Sequence, residues 1–438
     1  MSDDREVPTG RLARLGRLVS VGARTGASLL LSSDGKGAAE HAAAVLGSLR
    51  GLAAKVGQMA SYVDGFVPDD HRASYERAMG TLLAAAPHSS PAAIRAVVER
   101  ELGAPIDQLF TTWEDEPMAS ASIGQVHRAT LKGGEEVAVK VQHPGIDRAI
   151  ESDLRNAGII EGLVGTLGPK TLNTKEVFAI IAERFREELD YTLEAERQEQ
   201  FARMHAGDPD VRIPKVYRER STRRVLTTAL ARGFGIDEAA ARSEDDRRHF
   251  AEVLWRFVFR GNLVGQMFNA DPHPGNYIFH DDGTITFLDF GCVQPLFDPE
   301  LSLARSAHRA ALARDEASFR RCIAAMLATK GGAFEAAVLE YVRRCFAPLF
   351  EAPFRIDRAY AAEVVRGIQD LKRFVLKRDK SFTSLPPGLV FMNRLQFGFY
   401  SVLARFDVAV DYAEIERGVL GAADLLDGPR VPPTHATP

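Results

Sequence analysis

The chain has 438 residues, of which 45% are apolar and 26% are charged, and its formal net charge is −4. This length is enough for two or three domains with a substantial core. The near-neutral charge argues against a general nucleic-acid-binding protein, because such proteins need a strongly basic surface to displace counterions.

The cysteines and the hydropathy of the chain predict its cellular compartment. Cys292, Cys322 and Cys345 are widely spaced, and no Cys-x-x-Cys motif occurs. This favours reduced thiols in the cytosol over a disulfide framework or a zinc site. No apolar run approaches the ~20 residues that a transmembrane helix needs. The acidic start, MSDDREVPTGRL, is not of the signal-peptide type. We therefore expect a cytoplasmic protein.

The segment after this start is basic and has a helical pattern. Its arginines are Arg11, Arg14, Arg17 and Arg24. Arginines three apart share one face of a helix and leave the leucines for another face. Two interpretations stay open: a solvated basic face of a packed helix, or a helix that rests on an anionic membrane surface. The second interpretation would make the protein peripheral to the membrane.

The first hundred residues predict a helical extension. From Arg11 to about Pro87 the sequence is rich in Ala and Leu, without strand-like alternation. A break follows at Ala84–Pro91, and Pro91 then lies in the first turn of the next helix.

The next region predicts a small sheet around one long helix. Two alternating apolar stretches joined at Lys132-Gly133-Gly134 predict a β-hairpin. A second hairpin is predicted with its turn near Ser221. Between the hairpins, a helical pattern runs from about Glu151 to His205.

After Ala231 the pattern is helical again, with one interruption. There, Asp282-Gly283 predicts the turn of a short hairpin whose second arm ends at Asp289. From Pro299 to Leu426 the pattern predicts helices only, and Met392–Phe406 is either a core helix or part of a lipid-facing groove.

This order of elements predicts an α+β, protein-kinase-like bilobal fold with an N-terminal helical extension and a large helical C-lobe. The predicted limits are 1–100 for the extension, 101–230 for the N-lobe, 231–428 for the C-lobe and 429–438 for a disordered tail.

A candidate phosphate-binding lysine, Lys140, ends the strand EVAVK, and Ala138 leaves room for a flat base. In protein kinases a glycine-rich loop precedes this lysine, which pairs with a Glu on the following helix. Here the loop is ASASIGQV, and its small side chains still let backbone N–H groups approach phosphates. The residues predicted to cover the nucleotide are Ala119, Ser120, Ala121, Ser122, Ile123, Gly124 and Val126.

The long predicted helix carries five acids in EELDYTLEAE. Glu187, Glu194 and, more loosely, Asp190 share a helical face by spacing, whereas Glu188 and Glu196 lie off it. One acid is enough to fix Lys140, so the others are either solvated or add charge near a metal.

The segment NADPHPGNYIF places Asn276 five residues after Asp271, and Asp289-Phe290-Gly291 follows. Kinase catalytic loops have this Asp and Asn, and a later DFG Asp completes the metal site. Asn276 and Asp289 offer the hard oxygen donors that Mg²⁺ prefers. Asp271 would orient or deprotonate an acceptor hydroxyl or a water. The alternative is a Pro-Gly turn with an Asx motif and no catalytic role.

Two features differ from those of ordinary protein kinases. No Arg precedes Asp271, so a phosphorylated activation loop would lack that partner. A helix start is also predicted at Asp298-Pro299, seven residues after Gly291, which leaves little chain for a peptide platform. A protein substrate is therefore disfavoured.

These motifs together resemble the AarF/UbiB (ADCK) family of atypical kinase-like proteins over roughly Leu46 to Pro295. The resemblance covers a KxGQ element, the alanine-rich loop, an ExD element, the partner of Lys140, and the catalytic and metal motifs. The matching segments are Lys55-Val56-Gly57-Gln58, ASASIGQVH, Glu188 with Asp190 in EELDY, Glu194 in EAE, ADPHPGN and LDFG.

The resemblance implies Mg²⁺-dependent ATP binding with weak ATPase or small-molecule or lipid phosphotransferase activity, in support of isoprenoid-quinone (ubiquinone) synthesis. It implies that Lys140 and Glu194 hold the α/β-phosphates. It also implies that Lys55 reaches into the nucleotide region and that Lys55 and Gln58 restrict access to it. The segment TTALARG departs from the family's hinge and leaves the nucleotide preference open.

Two other functions remain as alternatives. One is a nucleotide-gated binding or scaffold protein (a pseudokinase) in which ATP changes the packing of the helical extension without phosphoryl transfer. The other is an antibiotic or small-alcohol phosphotransferase, against which the KxGQ element and the alanine-rich loop argue. The expected partners are ATP and an unknown small-molecule or lipid acceptor, with no nucleic acid.

Overall fold

A computed structural model of the chain describes residues 89–120, 123–152, 154, 174–376 and 392–426. Contacts between Cα atoms divide these residues into two compact units. The first unit comprises the described residues up to 154, together with 174–196 and 215–230. The second comprises 197–214 and the described residues from 231 onward.

The elements follow one another along the chain with helices at the start, strands next, and mostly helices at the end. In order they are α1 (Pro91–Leu102), α2 (Ile106–Leu109), β1 (Phe110–Trp113), β2 (Ala119–Ser120), β3 (Gly124–Leu131), β4 (Glu136–Gln142), α3 (Thr174–Glu188), α4 (Tyr191–Met204), β5 (Val211–Arg212), β6 (Val225–Ala229), α5 (Ile236–Ala239), α6 (Glu244–Leu263), β7 (Met267–Asn269), β8 (Tyr277–Phe279), β9 (Ile285–Phe287), β10 (Val293–Pro295), α7 (Glu300–Leu312), α8 (Glu316–Met326), α9 (Gly332–Cys345), α10 (Ala347–Phe350), β11 (Phe354–Arg355), α11 (Arg358–Leu376), α12 (Met392–Leu403), β12 (Ala409–Val410) and α13 (Tyr412–Ala422). Short 3₁₀ turns lie at Arg218–Arg220 and Pro274–Asn276.

The first unit is built on a five-stranded sheet with the order β1-β3-β4-β6, and β2 pairs with β3. All of its pairings are antiparallel. The predicted turn between β3 and β4 is confirmed, and Gly134 there adopts φ 91°, a conformation that favours glycine.

One face of this sheet packs against α1. Val137, Val139 and Val141 alternate along β4 and are fully buried in a cluster that also contains Ile94 and Val98 of α1. The start of α1 is where the sequence predicts it, because Ser90 Oγ accepts the N–H of Ala93 at 3.4 Å. Since residues two apart on a strand share a face, Ala138 and Lys140 lie on the face opposite to the valines.

The helix predicted from about Glu151 to His205 is not continuous: α3 ends at Glu188, and α4 begins at Tyr191. Asp190 lies at the interruption, and its Oδ1 accepts the N–H of Thr192 at 3.0 Å, as a capping residue does. The prediction that Glu187, Asp190 and Glu194 share one helical face is therefore wrong. Glu187 instead accepts a hydrogen bond from Arg184 at 2.7 Å.

The second predicted hairpin has a strand in only one of its arms. β6 forms the second arm, and the first arm pairs with it through an isolated bridge between Val216 and Thr228. Tyr217 N donates to Thr227 O at 2.9 Å on the same side of the turn. The 3₁₀ turn at Arg218–Arg220 occupies the place where a regular strand was expected.

The second unit is mainly helical and contains three small sheets. Their strand orders are β5-β9-β8, β10-β7 and β11-β12. The hairpin predicted at Asp282-Gly283 is confirmed, with β8 and β9 antiparallel and Gly283 at φ 84°. The prediction of helices only from Pro299 to Leu426 is wrong at one place, since β11 and β12 pair there.

An aromatic core joins the helix α6 to the strands of this unit. The rings of Phe257 on α6 and Phe287 on β9 stack with centroids 3.6 Å apart. Phe201 of α4 contacts Phe257 at 5.6 Å and Phe290 at 5.0 Å. Because these rings are buried, they fix the segment that follows β9 against α4 and α6.

Cys292, Cys322 and Cys345 are buried, and each is a thiol rather than part of a disulfide in the structure. Within the described ranges, no helix combines the length and the apolar character needed to cross a membrane.

Candidate active site

The first unit contains a buried ion pair between β4 and α4. Lys140 Nζ donates to both carboxylate oxygens of Glu194, at 2.7 Å to Oε1 and 2.9 Å to Oε2. The Lys140 side chain is 18% exposed and that of Glu194 is 5% exposed. A carboxylate this buried requires a charged partner to stay ionised. The pair therefore holds the ammonium group of Lys140 in one position, 5.1 Å from the centroid of the Tyr191 ring.

The position of Glu194 follows from the interruption before α4. Asp190 O accepts the N–H of Glu194 at 3.3 Å, so Glu194 lies in the first turn of the helix. An acid in the first turn is stabilised by the helix dipole. Of the five acids in this segment, Glu194 is the one whose hydrogen bonds to Lys140 the structure records.

The loop predicted to cover a nucleotide lies at the edge of the same sheet. In the ladder between β2 and β3, Ala119 is opposite Val126 and Ser120 is opposite Gln125, and Val126 is also opposite Lys140 on β4. Ile123 is buried, whereas Ala121 and Ser122 lie outside the described residues.

Gly124 has a packing reason to be glycine. A Cβ atom at this position would collide with the carbonyl oxygen of Val141 and would lie 2.8 Å from Tyr191 Oη. Since Tyr191 begins α4, the absence of a side chain lets the start of β3 lie directly against the helix that carries Glu194. Packing within the unit is thus a sufficient reason for the single glycine in this loop, whether or not the loop also contacts phosphate.

The other residues assigned to nucleotide binding have different surroundings. Ala138 lies on β4 opposite Arg128 and Thr228. Glu188 is the last residue of α3, and Asp190 Oδ2 lies 3.8 Å from Arg223 Nε. Lys55 and Gln58 lie outside the described residues.

In the second unit, Asn269 connects two of the predicted site residues. Its Oδ1 accepts the N–H of Asp271 at 3.0 Å, and its Nδ2 donates to Asp289 O at 2.7 Å. Sequence reasoning missed this role. The available signal was an Asn two residues before Asp271, the spacing of an Asx turn.

Asn276 is held by the same loop. Its Nδ2 donates to Asp271 O at 2.9 Å, and its main-chain oxygen accepts the N–H of Leu288 at 2.8 Å. The carboxamide oxygen Oδ1 is the side-chain atom that can bind a cation, because the amide nitrogen is a donor only, and its hydrogen bond to Asp271 O orients the carboxamide. The next residue, Tyr277, is buried, and burial together with the charge of Asp271 raises the pKa of its phenol.

Asp289 has a backbone conformation that is uncommon outside glycine, with φ 57°. Its Oδ1 accepts the N–H of Gly291 at 3.0 Å, and Arg197 Nη1 donates to Gly291 O at 3.1 Å. Phe290 between them is fully buried. Residues held in this region cost roughly 1–3 kcal/mol and cluster at functional sites.

The donor set of this loop fits a hard cation. Asn276 supplies a carboxamide oxygen and Asp289 a carboxylate, and Mg²⁺ is usually bound by one or two such groups together with water and substrate phosphates. In the part of the chain that the structure describes, no cluster of three or more His, Cys, Asp or Glu side chains is arranged to hold a metal by itself.

The structure thus brings the predicted residues together in two groups. Lys140 and Glu194 pair within the first unit, and Asp271, Asn276 and Asp289 are linked by hydrogen bonds within the second.

Comparison with known proteins identifies the family. The sequence model of the ABC1 atypical kinase-like domain matches residues 81–322. The mitochondrial atypical kinase COQ8B of Rattus norvegicus is 31% identical over 310 residues, which cover 66% of this chain and 58% of the relative. The chloroplastic aarF domain-containing protein kinase At1g71810 of Arabidopsis thaliana is 37% identical over 206 residues, which cover 47% of this chain and 29% of the relative.

Among solved structures, the chain is similar to Rv3197 of Mycobacterium tuberculosis, determined as a complex with erythromycin. The TM-score is 0.62 at 27% identity, and the match covers 86% of this chain and 95% of that one. The chain spans about half the length of the curated relatives that it matches. The predicted α+β, kinase-like fold and the AarF/UbiB resemblance are confirmed, and the chain belongs to the ABC1 atypical kinase-like family.

Proposed function

We propose that this protein binds Mg·ATP and transfers its γ-phosphoryl group to water or to a small-molecule or lipid acceptor. The observation that carries the proposal is the ion pair in which Lys140 Nζ contacts both oxygens of Glu194, at 2.7 and 2.9 Å. Kinases use this pairing to position the lysine that binds the nucleotide phosphates. Membership of the ABC1 atypical kinase-like family supports the general assignment of a kinase-like protein.

When bound, Mg·ATP supplies a γ-phosphoryl group whose charge the cation partly neutralises. In the first unit, Lys140 would bind phosphate oxygens while Glu194 keeps it in place, and the small residues from Ala119 to Gly124 would cover the phosphates. In the second unit, Asn276 and Asp289 would hold the cation through their side-chain oxygens. Asp271 would accept the proton of the attacking hydroxyl or water.

The acceptor that we propose is a small molecule or a lipid, because little chain is available to bind a peptide. Only β10 lies between Gly291 and the start of α7 at Glu300. A role in isoprenoid-quinone synthesis, with the basic N-terminal segment on a membrane surface, is the pathway and location that the resemblance supports. The segment that carries these arginines lies outside the described residues.

The experiment that tests this function compares turnover and binding in one variant. Asp271→Asn removes the proton acceptor while keeping the shape of the side chain. We expect ATP hydrolysis to fall by about a hundredfold or more, within the range for loss of a general base, and the affinity for Mg·ATP to change little. Asp281→Asn, an exposed Asp in the β8–β9 turn that pairs with Arg242, is the matched control and should keep wild-type turnover.

Two other outcomes would contradict parts of the proposal. Wild-type hydrolysis by Asp271→Asn would show that the role assigned to this residue is wrong. If wild-type protein binds Mg·ATP but produces no phosphate with or without candidate acceptors, the protein is a nucleotide-gated binding module instead.

A further inference from the structure

A second candidate site lies among the helices of the second unit. A cavity of about 140 Å³ is bounded by side chains of α6, α7, α8, α9, α10, α12 and α13. Most of its wall is apolar or aromatic. The aromatic side chains that line it include Trp255, Phe259, Phe346, Phe399 and Tyr400.

Most polar groups in the wall are already hydrogen-bonded to one another. Glu416 is fully buried, and its Oε1 accepts from Trp255 Nε1 at 3.1 Å while its Oε2 lies 2.7 Å from His308 Nδ1. Tyr400 Oη donates to Cys345 O at 2.7 Å. These groups form the protein's own network, so a ligand is not needed to satisfy them.

Asn262 differs from these hydrogen-bonded groups. It lines the cavity, it is 6% exposed, and its Oδ1 is buried without a hydrogen-bond partner among the described residues. A buried acceptor left without a donor is costly, and native structures rarely keep one unless water or a ligand supplies the hydrogen bond. The largely apolar wall therefore offers a ligand one carboxamide acceptor, Asn262 Oδ1, and the hydroxyl of Tyr341 also belongs to this wall.

Volume and polarity together define the ligand. An engineered apolar cavity of ~150 Å³ in another protein holds a benzene molecule, so about 140 Å³ accommodates one six-membered ring. A charged molecule is excluded, because Glu416 is already paired and the remaining wall is largely apolar.

We propose that this cavity binds an uncharged molecule that consists of one ring with a single hydroxyl or N–H donor, and that the donor contacts Asn262 Oδ1. The site consists of residues of the second unit other than Asp271, Asn276 and Asp289, so the inference does not depend on the proposed phosphoryl transfer.

The test measures the binding of benzyl alcohol and toluene to the purified full chain by titration calorimetry. The two probes have the same ring, and only benzyl alcohol has a donor. We expect saturable binding at one site, with benzyl alcohol bound about fivefold more tightly than toluene, the effect of one net hydrogen bond. Asn262→Leu should abolish this preference.

A cavity-filling variant provides the control for the location. Ala307→Leu adds a side chain to the wall and should abolish the binding of both probes, and Ala304→Leu, also in the wall, serves if Ala307→Leu does not fold. The melting temperature of each variant without probe shows whether it is folded.

Three results would overturn the proposal. Wild type that binds neither probe saturably has no such site. Equal affinity for the two probes would mean that a water molecule already satisfies Asn262. Unchanged binding in both cavity-filling variants would place the probe elsewhere on the protein.

Discussion

The two units hold their candidate functional groups in different ways. In the first, Lys140 and Glu194 are fixed by each other, charge against charge, in a nearly buried position. In the second, Asp271, Asn276 and Asp289 are linked mainly through main-chain atoms. We therefore expect the first group to contribute to stability as well as to function, whereas substitutions in the second group should remove function at little cost in stability.

Breaking the ion pair should have the largest effect on stability. Lys140→Met leaves Glu194, whose side chain is 5% exposed, without its recorded cationic partner. Removing one member of a buried pair costs about 4 kcal/mol, because the remaining charge is no longer compensated. We expect urea unfolding to show a loss of this order in the free energy of unfolding.

The double variant Lys140→Met/Glu194→Leu is the control for this prediction. It leaves no buried charge at positions 140 and 194, so it should recover most of the lost stability while still failing to bind Mg·ATP. If Lys140→Met alone is as stable as wild type, the pair does not contribute to the fold in the way described.

The second unit also contains a buried ionisable side chain, His205, but no oppositely charged side chain is hydrogen-bonded to it among the described residues. Neither ring nitrogen of His205 has a hydrogen-bond partner among the residues described, and its ring stacks on Phe257 with centroids 4.6 Å apart. Burial, together with the charge of Arg260, lowers the pKa of His205 to about 4.

This shift predicts a pH-dependent loss of stability. The unfolded chain binds a proton on His205 near pH 6.5, whereas the folded chain does so only near pH 4. The stability that depends on a neutral His205 is therefore fully present above pH 6.5 and is lost as the pH falls from 6.5 to 4. At pH 4 the loss from this residue is about 3 kcal/mol. His205→Phe should reduce the wild-type loss between pH 7 and pH 4 by that amount in urea unfolding. Equal losses in the two proteins would mean that His205 is already protonated in the fold.

The smallest effect on stability is expected at Asn269, which connects the second group. Asn269→Ala removes two hydrogen bonds and should cost about 1 kcal/mol of stability, but misplacement of Asp271 and Asp289 should lower ATP turnover by about tenfold with little change in KM. Asn269→Asp can still accept from Asp271 N and should lie between Asn269→Ala and wild type. Wild-type turnover in Asn269→Ala would show that the two side chains are positioned without it.

Features encoded by neighbouring residues were predictable from the sequence. Ser90 next to Pro91 marks the start of α1, and the glycines at 134 and 283 mark the turns where φ is positive. Each of these signals depends on the conformational preference of one or two residues, so no knowledge of tertiary contacts is needed.

Features that depend on distant contacts were not predictable in this way. The spacing of acids left the partner of Lys140 open, and only the family resemblance selected Glu194, 54 residues away. The interruption at Asp190 was missed because an acid at helical spacing also fits an exposed helix face. The contacts of Glu416 with Trp255 and His308 join residues 161 and 108 positions apart, and no local pattern marks them.

The melting temperatures of wild type and Asp289→Asn, each measured with and without Mg·ATP, show whether the metal motif belongs to a nucleotide site. Asn tolerates the positive φ at this position, so the substitution removes charge with little backbone strain. A ligand at a hundredfold excess over its Kd stabilises the fold by about 2.7 kcal/mol. We predict that Mg·ATP raises the melting temperature of wild type and that Asp289→Asn loses this increase. Equal increases in the two proteins, or no increase in wild type, would show that Asp289 does not hold a metal in a nucleotide site.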